Sequence, residues 1–482
     1  MVDFRPVAYV IGRILIVLAI LMLAPAIIDW RAGLDNGHAF LASAALTGVT
    51  GAALTLSTGN ALGRALDTRQ AYLLTAGIWF LVPFFGALPF WIGAPGLSLQ
   101  YAYFEAVSGI TTTGATVIFG LDELPAGMNL WRGMLNWLGG LGIAFIAMIF
   151  LPLMRVGGMQ FFRTEGFDTF GKALPRATDI AQQLLVVYVG LTLICIATYA
   201  AIGMTPLDAV VNGFATIATG GFSPADASFS KYQGSGEYVG SLFMYLAALP
   251  YVRYVQLVNG VATPLWRDAQ ARALLRWLLY AVVAVTIWRV ATTGDDLEPS
   301  FREALFNLTS IMTGTGFFSG SFAGWGGLSM VVAFVVGLIG GCSGSSSGAL
   351  TVFRVQLALQ VLRREIARIG NPNRVDAIRY DGRTVTEEVT GAMMMFFSSY
   401  ILILGILSVA LTLTGVDSVS ALFAIWQSMG NIGYGYGPLV APTGTFVDFP
   451  PSAIAIMTLA MILGRLGLLA ILVMVLPSFW RR

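Results

Sequence analysis

F-E-A-V-S-G-I-T-T-T-G-A-T, residues 104–116, decides the reading of this chain. It opens on a short apolar run and closes on threonines and a glycine. Three further stretches share the pattern: V-V-N-G-F-A-T-I-A-T-G-G-F from Val210, F-N-L-T-S-I-M-T-G-T-G-F-F from Phe306 and F-A-I-W-Q-S-M-G-N-I-G-Y-G from Phe423. In each, an apolar residue (Phe104, Val210, Phe306, Phe423) stands ten positions before a glycine (Gly114, Gly220, Gly316, Gly433). These glycines follow one another at 106, 96 and 117 residues, which marks four copies of one unit of ~100 residues. Small and hydroxyl-bearing residues around each glycine let backbone carbonyls face inward. Four such loops about one axis form a ring of carbonyls, the device that replaces the hydration shell of a cation such as potassium.

The composition supplies the setting. Of 482 residues, 57% are hydrophobic and 11% charged, against roughly 25% charged in globular domains. With a mean hydropathy of +0.78, the chain reads as a polytopic membrane protein. The first apolar run, Ile14–Ile28, lacks a small-residue cleavage site and is followed by further spans, so it reads as a retained helix. A net charge of +2 gives no footprint for nucleic acid. Cys195 and Cys342 lie in apolar or Gly-rich stretches, which excludes a disulfide framework and leaves a metal site without companions. The single histidine, His38, falls in a short loop. No nucleophile–base set and no Walker motif is present, so neither an enzyme nor an ATP-driven pump is indicated.

Ten windows of about 20 apolar residues can cross a bilayer. They lie near 8–29, 38–61, 71–94, 130–154, 181–203, 237–260, 274–293, 325–350, 390–415 and 452–476. The four filter-like stretches fall between windows and are too short to span, so they read as re-entrant half-helices followed by irregular backbone. Such backbone survives at membrane depth only where protein or a water-filled cavity shelters it. The expected fold is all-α: a two-helix hairpin (1–66) and four helix–pore helix–filter–helix repeats in pseudo-fourfold arrangement. The repeats are assigned to 67–160, 161–262, 263–370 and 371–482.

Loops between repeats are basic, with Arg155, Arg163, Lys172 and Arg176, then Arg267, Arg272 and Arg276, then Arg354, Arg363, Arg364, Arg368, Arg374, Arg379 and Arg383; the chain ends Arg481-Arg482. The filter-side loops carry Asp122, Glu123, Asp226, Asp295, Asp296, Glu298 and Asp448. This asymmetry puts the basic side in the cytoplasm and opens the filters outward. The polar stretch 350–388 contains a helical run over 357–369, which Asn371-Pro372-Asn373 breaks. Its arginines serve either lipid contact and orientation or a docking surface for a soluble regulator.

The filter candidates are Thr112, Thr113 and Gly114; Ala218, Thr219 and Gly220; Thr313, Gly314, Thr315 and Gly316; and Asn431, Ile432 and Gly433. A second feature, Gly337–Gly348 (G-L-I-G-G-C-S-G-S-S-S-G), interrupts an apolar window with residues that break helices. Gly340, Gly341, Cys342, Ser343, Gly344, Ser345, Ser346, Ser347 and Gly348 then form a loop inside the membrane, sheltered under the filters and suited to gating. Arg465, in the last window, is either an electrostatic barrier below the filter or a partner of that loop. Arg253 is a second membrane-buried arginine, or one that snorkels to the interface. Glu105, on the first pore helix, is the best intramembrane proton carrier, unless it only answers the local dipole.

These motifs resemble the potassium-translocating membrane subunits of the Trk/Ktr/HKT superfamily, most closely the TrkH type. The residues that carry the resemblance are 104–116, W-L-G-G-L-G-I (137–143), L-P-L-M-R-V-G-G-M-Q (151–160), A-T-G-G-F-S (218–223), G-G-C-S-G-S-S-S-G (340–348), N-I-G-Y-G (431–435) and G-R-L (464–466). The resemblance spans nearly the whole chain, hairpin included. It implies potassium uptake across a bacterial cytoplasmic (inner) membrane, with potassium as the transported ion and no organic cofactor. It also implies a homodimer bound to a cytoplasmic ring of nucleotide-binding RCK-type (TrkA-like) subunits, and filter glycines at 114, 220, 316 and 433. Glycine at all four positions favours potassium, since a serine in the first copy goes with sodium transport in plant relatives. The family's intramembrane loop matches 340–348 and its sub-filter arginine matches Arg465. Three features depart from the pattern: Gly467 where an acidic residue is usual, the aromatic fourth filter N-I-G-Y-G-Y-G, and the extra Gly314, which point to weaker selectivity over sodium. Gated passive conduction is the expected function, and a symporter coupled to protons or sodium the alternative.

Overall fold

The computed structural model describes residues 3–61, 67–145, 177–371, 377–467, 473–474 and 476–480. It is an all-α polytopic membrane protein; the sole strands among the described residues are a two-residue hairpin, Arg379–Tyr380 with Arg383–Thr384. Six described helices are long and apolar enough to cross a bilayer: Arg5–Arg31, Asn36–Ser57, Arg69–Ile92, Ala181–Ala201, Ala269–Thr293 and Glu387–Thr412. Exposed Val17, Ile20, Leu193, Ile194, Ile287, Leu402 and Val409 face outward from them, as lipid contact requires. One continuous apolar core runs through hairpin and repeats alike.

The helices that follow the second and third glycine-bearing segments depart from a straight span. The window 237–260 is two helices, Ser235–Ala247 and Tyr251–Val258, bent by 90°. Pro250, which has no N–H to continue a helix, stands at the corner. The carbonyl of Ala248, left free by the bend, accepts from Cys342 N at 3.1 Å. The window 325–350 stops as a helix at Ile339, and the helix after it starts at Val352 and runs to Gly370. The windows 130–154 and 452–476 are helical over Ala126–Phe145 and Pro451–Leu466. The stretch 151–160, Arg155, Arg163, Lys172, Arg176, Pro372, Asn373, Arg374, Arg481 and Arg482 lie outside the described residues. His38 sits in the first turn of the helix Asn36–Ser57, not in a loop, with its ring 6.3 Å from that of Trp30.

Four short helices fall between the longer ones: Leu99–Ile110, Pro206–Ala218, Leu297–Thr313 and Ser418–Gly430. At about 1.5 Å per residue each falls short of the ~30 Å hydrocarbon core, the 17-residue Leu297–Thr313 by the least. Their flanking residues at the N-terminus are Ser98, Thr205, Asp296 and Asp417, types that cap orphaned backbone N–H groups. Thr205 Oγ1 accepts from Asp208 N at 3.2 Å, and Asp417 Oδ1 from Ser420 N at 2.9 Å. The opposite ends, where carbonyls carry partial negative charge, run straight into the glycine-bearing segments.

Candidate functional site: a four-segment ring and the loop beneath it

Each pore helix ends with the same backbone turn. Thr112, Thr219, Gly314 and Asn431 take left-handed φ values of 51°, 51°, 73° and 50°. Two residues on, Gly114, Gly221, Gly316 and Gly433 have φ of 83°, 72°, 85° and 77°. Between them, Thr113, Gly220, Thr315 and Ile432 donate their N–H groups back to carbonyls of Ser108, Ala215, Ser310 and Gln427, at 2.8, 2.7, 2.8 and 2.9 Å. Every one of those acceptors stands six residues before its left-handed glycine. With the N–H groups tied to their own helices, the carbonyls of 112–114, 219–221, 314–316 and 431–433 accept no hydrogen bond among the described residues.

This geometry moves the second copy by one residue. Gly221, not Gly220, is the counterpart of Gly114, Gly316 and Gly433, and Val211 rather than Val210 matches Phe104. The sequence A-T-G-G-F offers two adjacent glycines, and V-V offers two identical apolar residues, so a ten-residue spacing fits either register. The left-handed φ separates them.

The four segments close on one another in a ring. A Cβ on Gly114 would come within 3.0 Å of Gly220 O, on Gly221 of Thr315 O, on Gly316 of Ile432 O and on Gly433 of Thr113 O. Backbone therefore meets backbone around the full circle, and a side chain at any of these four positions would push the next segment aside. The hydroxyls of Thr111 and Thr113 are 2.7 Å apart and those of Thr313 and Thr315 2.8 Å. Asn431 Nδ2 donates to Thr113 Oγ1 at 2.9 Å, which ties the fourth segment to the first.

On one side the ring opens into a vestibule of ≈930 Å³, lined by Gly114, Gly221, Gly316 and Gly433 and by the segments that follow them. Asp226 stands here, its carboxylate accepting from Gly120 N and Leu121 N. On the other side lies the loop between Ile339 and Val352, around a cavity of ≈80 Å³ lined in part by Ser345, Ser347, Gly348 and Arg465. Arg465 Nη2 donates to Thr112 Oγ1 and, at 2.5 Å, to Ser346 O. Ser347 Oγ donates to Thr313 O at 2.6 Å and accepts from Gly341 N at 2.9 Å. Ser343 Oγ pairs with Thr351 Oγ1 at 2.7 Å, and Ser345 Oγ donates to Cys342 O at 2.7 Å. The loop is thus buttoned to the underside of the first and third segments, with a guanidinium between them.

Arg465 bridges the loop, at Ser346, to Thr112 of the first segment. Among the described residues no carboxylate pairs with it, and Gly467 lines the same cavity. Arg253 lies apart, beyond the bend, where it pairs with Asp268 at 2.7 Å and Asp381 at 3.4 Å. Gly314 occupies the left-handed position that costs a non-glycine residue ~1–2 kcal/mol, so it suits the turn.

Tyr251 escaped the sequence reading. It is the first residue after Pro250, and it clasps the loop with its N–H to Gly344 O at 3.0 Å and its hydroxyl 2.8 Å from Ser346 Oγ. The proline inside an apolar window was the available signal. Glu105 is buried and ion-paired to Arg132 at 2.9 Å, a partner 27 residues away that no local spacing rule connects.

Comparison with known proteins agrees with this architecture. The family model described as TrkH, cation transport protein, matches residues 36–481. The Trk system potassium uptake protein TrkI of Halomonas elongata is 37% identical over 481 residues, covering 99% of this chain and 97% of that protein. The Trk system potassium uptake protein TrkH of Escherichia coli is 32% identical over 486 residues, 99% and 100% of the two chains. The crystal structure of the potassium transporter TrkH from Vibrio parahaemolyticus superposes with a TM-score of 0.90 at 30% identity, over 100% of both chains.

Proposed function

This chain belongs to the TrkH family of cation transport proteins, and on that premise we propose that it takes up potassium through the four-segment ring. The observation that carries the reading is the closed circle of unbonded carbonyls with backbone-to-backbone contact at Gly114, Gly221, Gly316 and Gly433. Oxygen ligands at close spacing can replace a potassium ion's water, and a tied backbone keeps them from collapsing onto a smaller ion. Four helix C-termini aimed at the ring add negative potential. The names of the relatives, potassium uptake proteins, support the same ion. The ion is cargo, and the chain is a transport protein rather than an enzyme.

Conduction is passive and gated. The loop 340–348, with Arg465, blocks the exit below the ring, and release of its hydrogen bonds opens the path. Glu105 does not serve as a proton carrier in this reading, because both of its carboxylate oxygens are engaged by Arg132, Thr116 and Val117. The vestibule faces outward and the loop faces the cytoplasm of a bacterial inner membrane, supported by Asp226 in the vestibule, the acidic loops beside it and the arginines of 354–383. The same basic helix, Val352–Gly370, exposes Leu362, Ile366 and Ile369, a surface suited to a cytoplasmic nucleotide-binding ring of the RCK type. The working unit is a homodimer, each subunit with its own pore. Within the chain the units are 1–66, 67–160, 161–262, 263–370 and 371–482.

Expression in a bacterium lacking its own potassium uptake systems tests the function: growth at low external potassium should return, and continued dependence on high potassium would refute the reading. Gly114→Ser should raise sodium permeation relative to potassium by roughly tenfold, since its Cβ displaces the second segment at Gly220 O. An unchanged ratio in paired isotope-flux assays would remove Gly114 from the filter.

A further inference from the structure

At the vestibule wall, beside the first two ring segments, Arg132 and Glu105 form an ion pair with side chains 1% and 0% exposed. Glu105 lies on the first pore helix and Arg132 on the helix Ala126–Phe145. Glu105 Oε1 accepts from Arg132 Nε and from Thr116 Oγ1, both at 2.9 Å, and Oε2 accepts from Val117 N at 3.1 Å. Arg132 donates through Nη1 to Ser223 O at 2.8 Å and through Nη2 to Thr116 Oγ1 at 3.2 Å. Its guanidinium also stands 4.2 Å from the ring centre of Phe222.

The positions of these contacts give the pair its meaning. Thr116 and Val117 follow Gly114 after one intervening residue, Ala115, and Phe222 and Ser223 follow Gly221 directly. One planar cation therefore fastens the outgoing ends of two different ring segments. Across the ring the same place on the third pore helix holds Asn307, whose amide accepts from Ser319 N at 3.2 Å and donates to Ser319 O at 2.9 Å. Tyr434, next to Gly433, brings its hydroxyl 3.4 Å from Asn307 Oδ1. Segments one and two are joined by charge, segments three and four by neutral groups. In the second and fourth helices the matching residues are Asn212 and Ala424.

We propose that Arg132, held by Glu105, is a positioning residue that fixes the first two filter segments against one another and thereby sets discrimination between potassium and sodium. The inference rests on the proposed reading of the ring as a potassium filter. Breaking a buried pair leaves an uncompensated charge that the surroundings must move to accommodate, and the nearest movable groups are the two segments. Lysine at 132 keeps the charge but cannot reach Glu105, Thr116 and Ser223 O together, because a single ammonium replaces the planar fork.

The test is sodium and potassium flux into liposomes holding full-length wild type, Arg132→Lys, Glu105→Gln or Gly114→Ser, each with its melting temperature. The sodium-to-potassium ratio should rise roughly tenfold in Arg132→Lys and by less in Glu105→Gln. A purely structural role would lower the melting temperature and leave the ratio alone; that result, with Gly114→Ser still raising it, overturns the positioning role and leaves the filter standing. No change in any of the three overturns the filter reading as well. Should both pair variants fail to fold, Thr116→Val decides, since it removes the hydroxyl shared by both side chains but keeps the ion pair. A raised ratio supports the proposal, and an unchanged one overturns it.

Discussion

Gly221→Ala is expected to abolish selective potassium conduction, while Gly220→Ala, one residue earlier, is expected to retain much of it. At Gly221, φ is +72°, a conformation costing an alanine about 1–2 kcal/mol before any contact is counted. The added methyl would also press on the carbonyl of Thr315, which is backbone of the third segment and cannot turn away. At Gly220 the obstacle is the side-chain amide of Asn136, on the helix Ala126–Phe145. That amide is buried and makes no hydrogen bond with the described residues, so its rotation breaks nothing. Paired flux measurements on the two variants, with matched elution profiles, compare them directly. A harsher effect at Gly220 would restore the register inferred from spacing alone.

Arg465→Ala is expected to raise potassium flux in the absence of any regulatory partner, by roughly tenfold or more, because charge-assisted hydrogen bonds contribute about 1.5–3 kcal/mol each. The side chain bonds Thr112 of the first filter segment and Ser346 of the loop, and it places a positive charge under the ring. Its removal loosens the loop and lowers the electrostatic barrier together. Deleting 342–347 should act in the same direction, since it removes Ser346 and Ser347 and with them the bond to Thr313 O. Liposome flux of both variants gives the answer. A well-folded but silent product in either case would assign these residues to conduction or assembly instead of gating.

Much of this architecture was legible in the chain because membrane solvent simplifies the rules. Apolar runs too short to span, preceded by the cap-type residues Ser98, Thr205, Asp296 and Asp417, read as re-entrant helices. The glycine-and-serine run at 340–348 was likewise visible as broken helix. The turn register of the second segment is not legible from spacing, because Gly220 and Gly221 are chemically identical and differ only in the φ that the turn imposes. The 90° corner at Pro250 was hidden inside a window whose mean hydropathy passes for a straight span. The contacts Arg465–Thr112 and Asn431–Thr113 join residues 353 and 318 positions apart, distances at which no periodicity reports. Closure of the ring, rather than any local pattern, creates them. Tyr434 and Tyr436, which follow Gly433, line the vestibule, and Tyr436 packs edge-on against Phe423 at 4.6 Å.

The central claim is a potassium-selective path through the four-segment ring, driven by the ion's own gradient. It is tested most directly by potassium and sodium flux into liposomes holding the purified protein, at zero and at imposed pH gradient. Potassium flux that exceeds sodium flux and follows only the potassium electrochemical gradient is the predicted result. Flux that appears only when a pH gradient is imposed would contradict it and return Glu105 to the role of proton carrier.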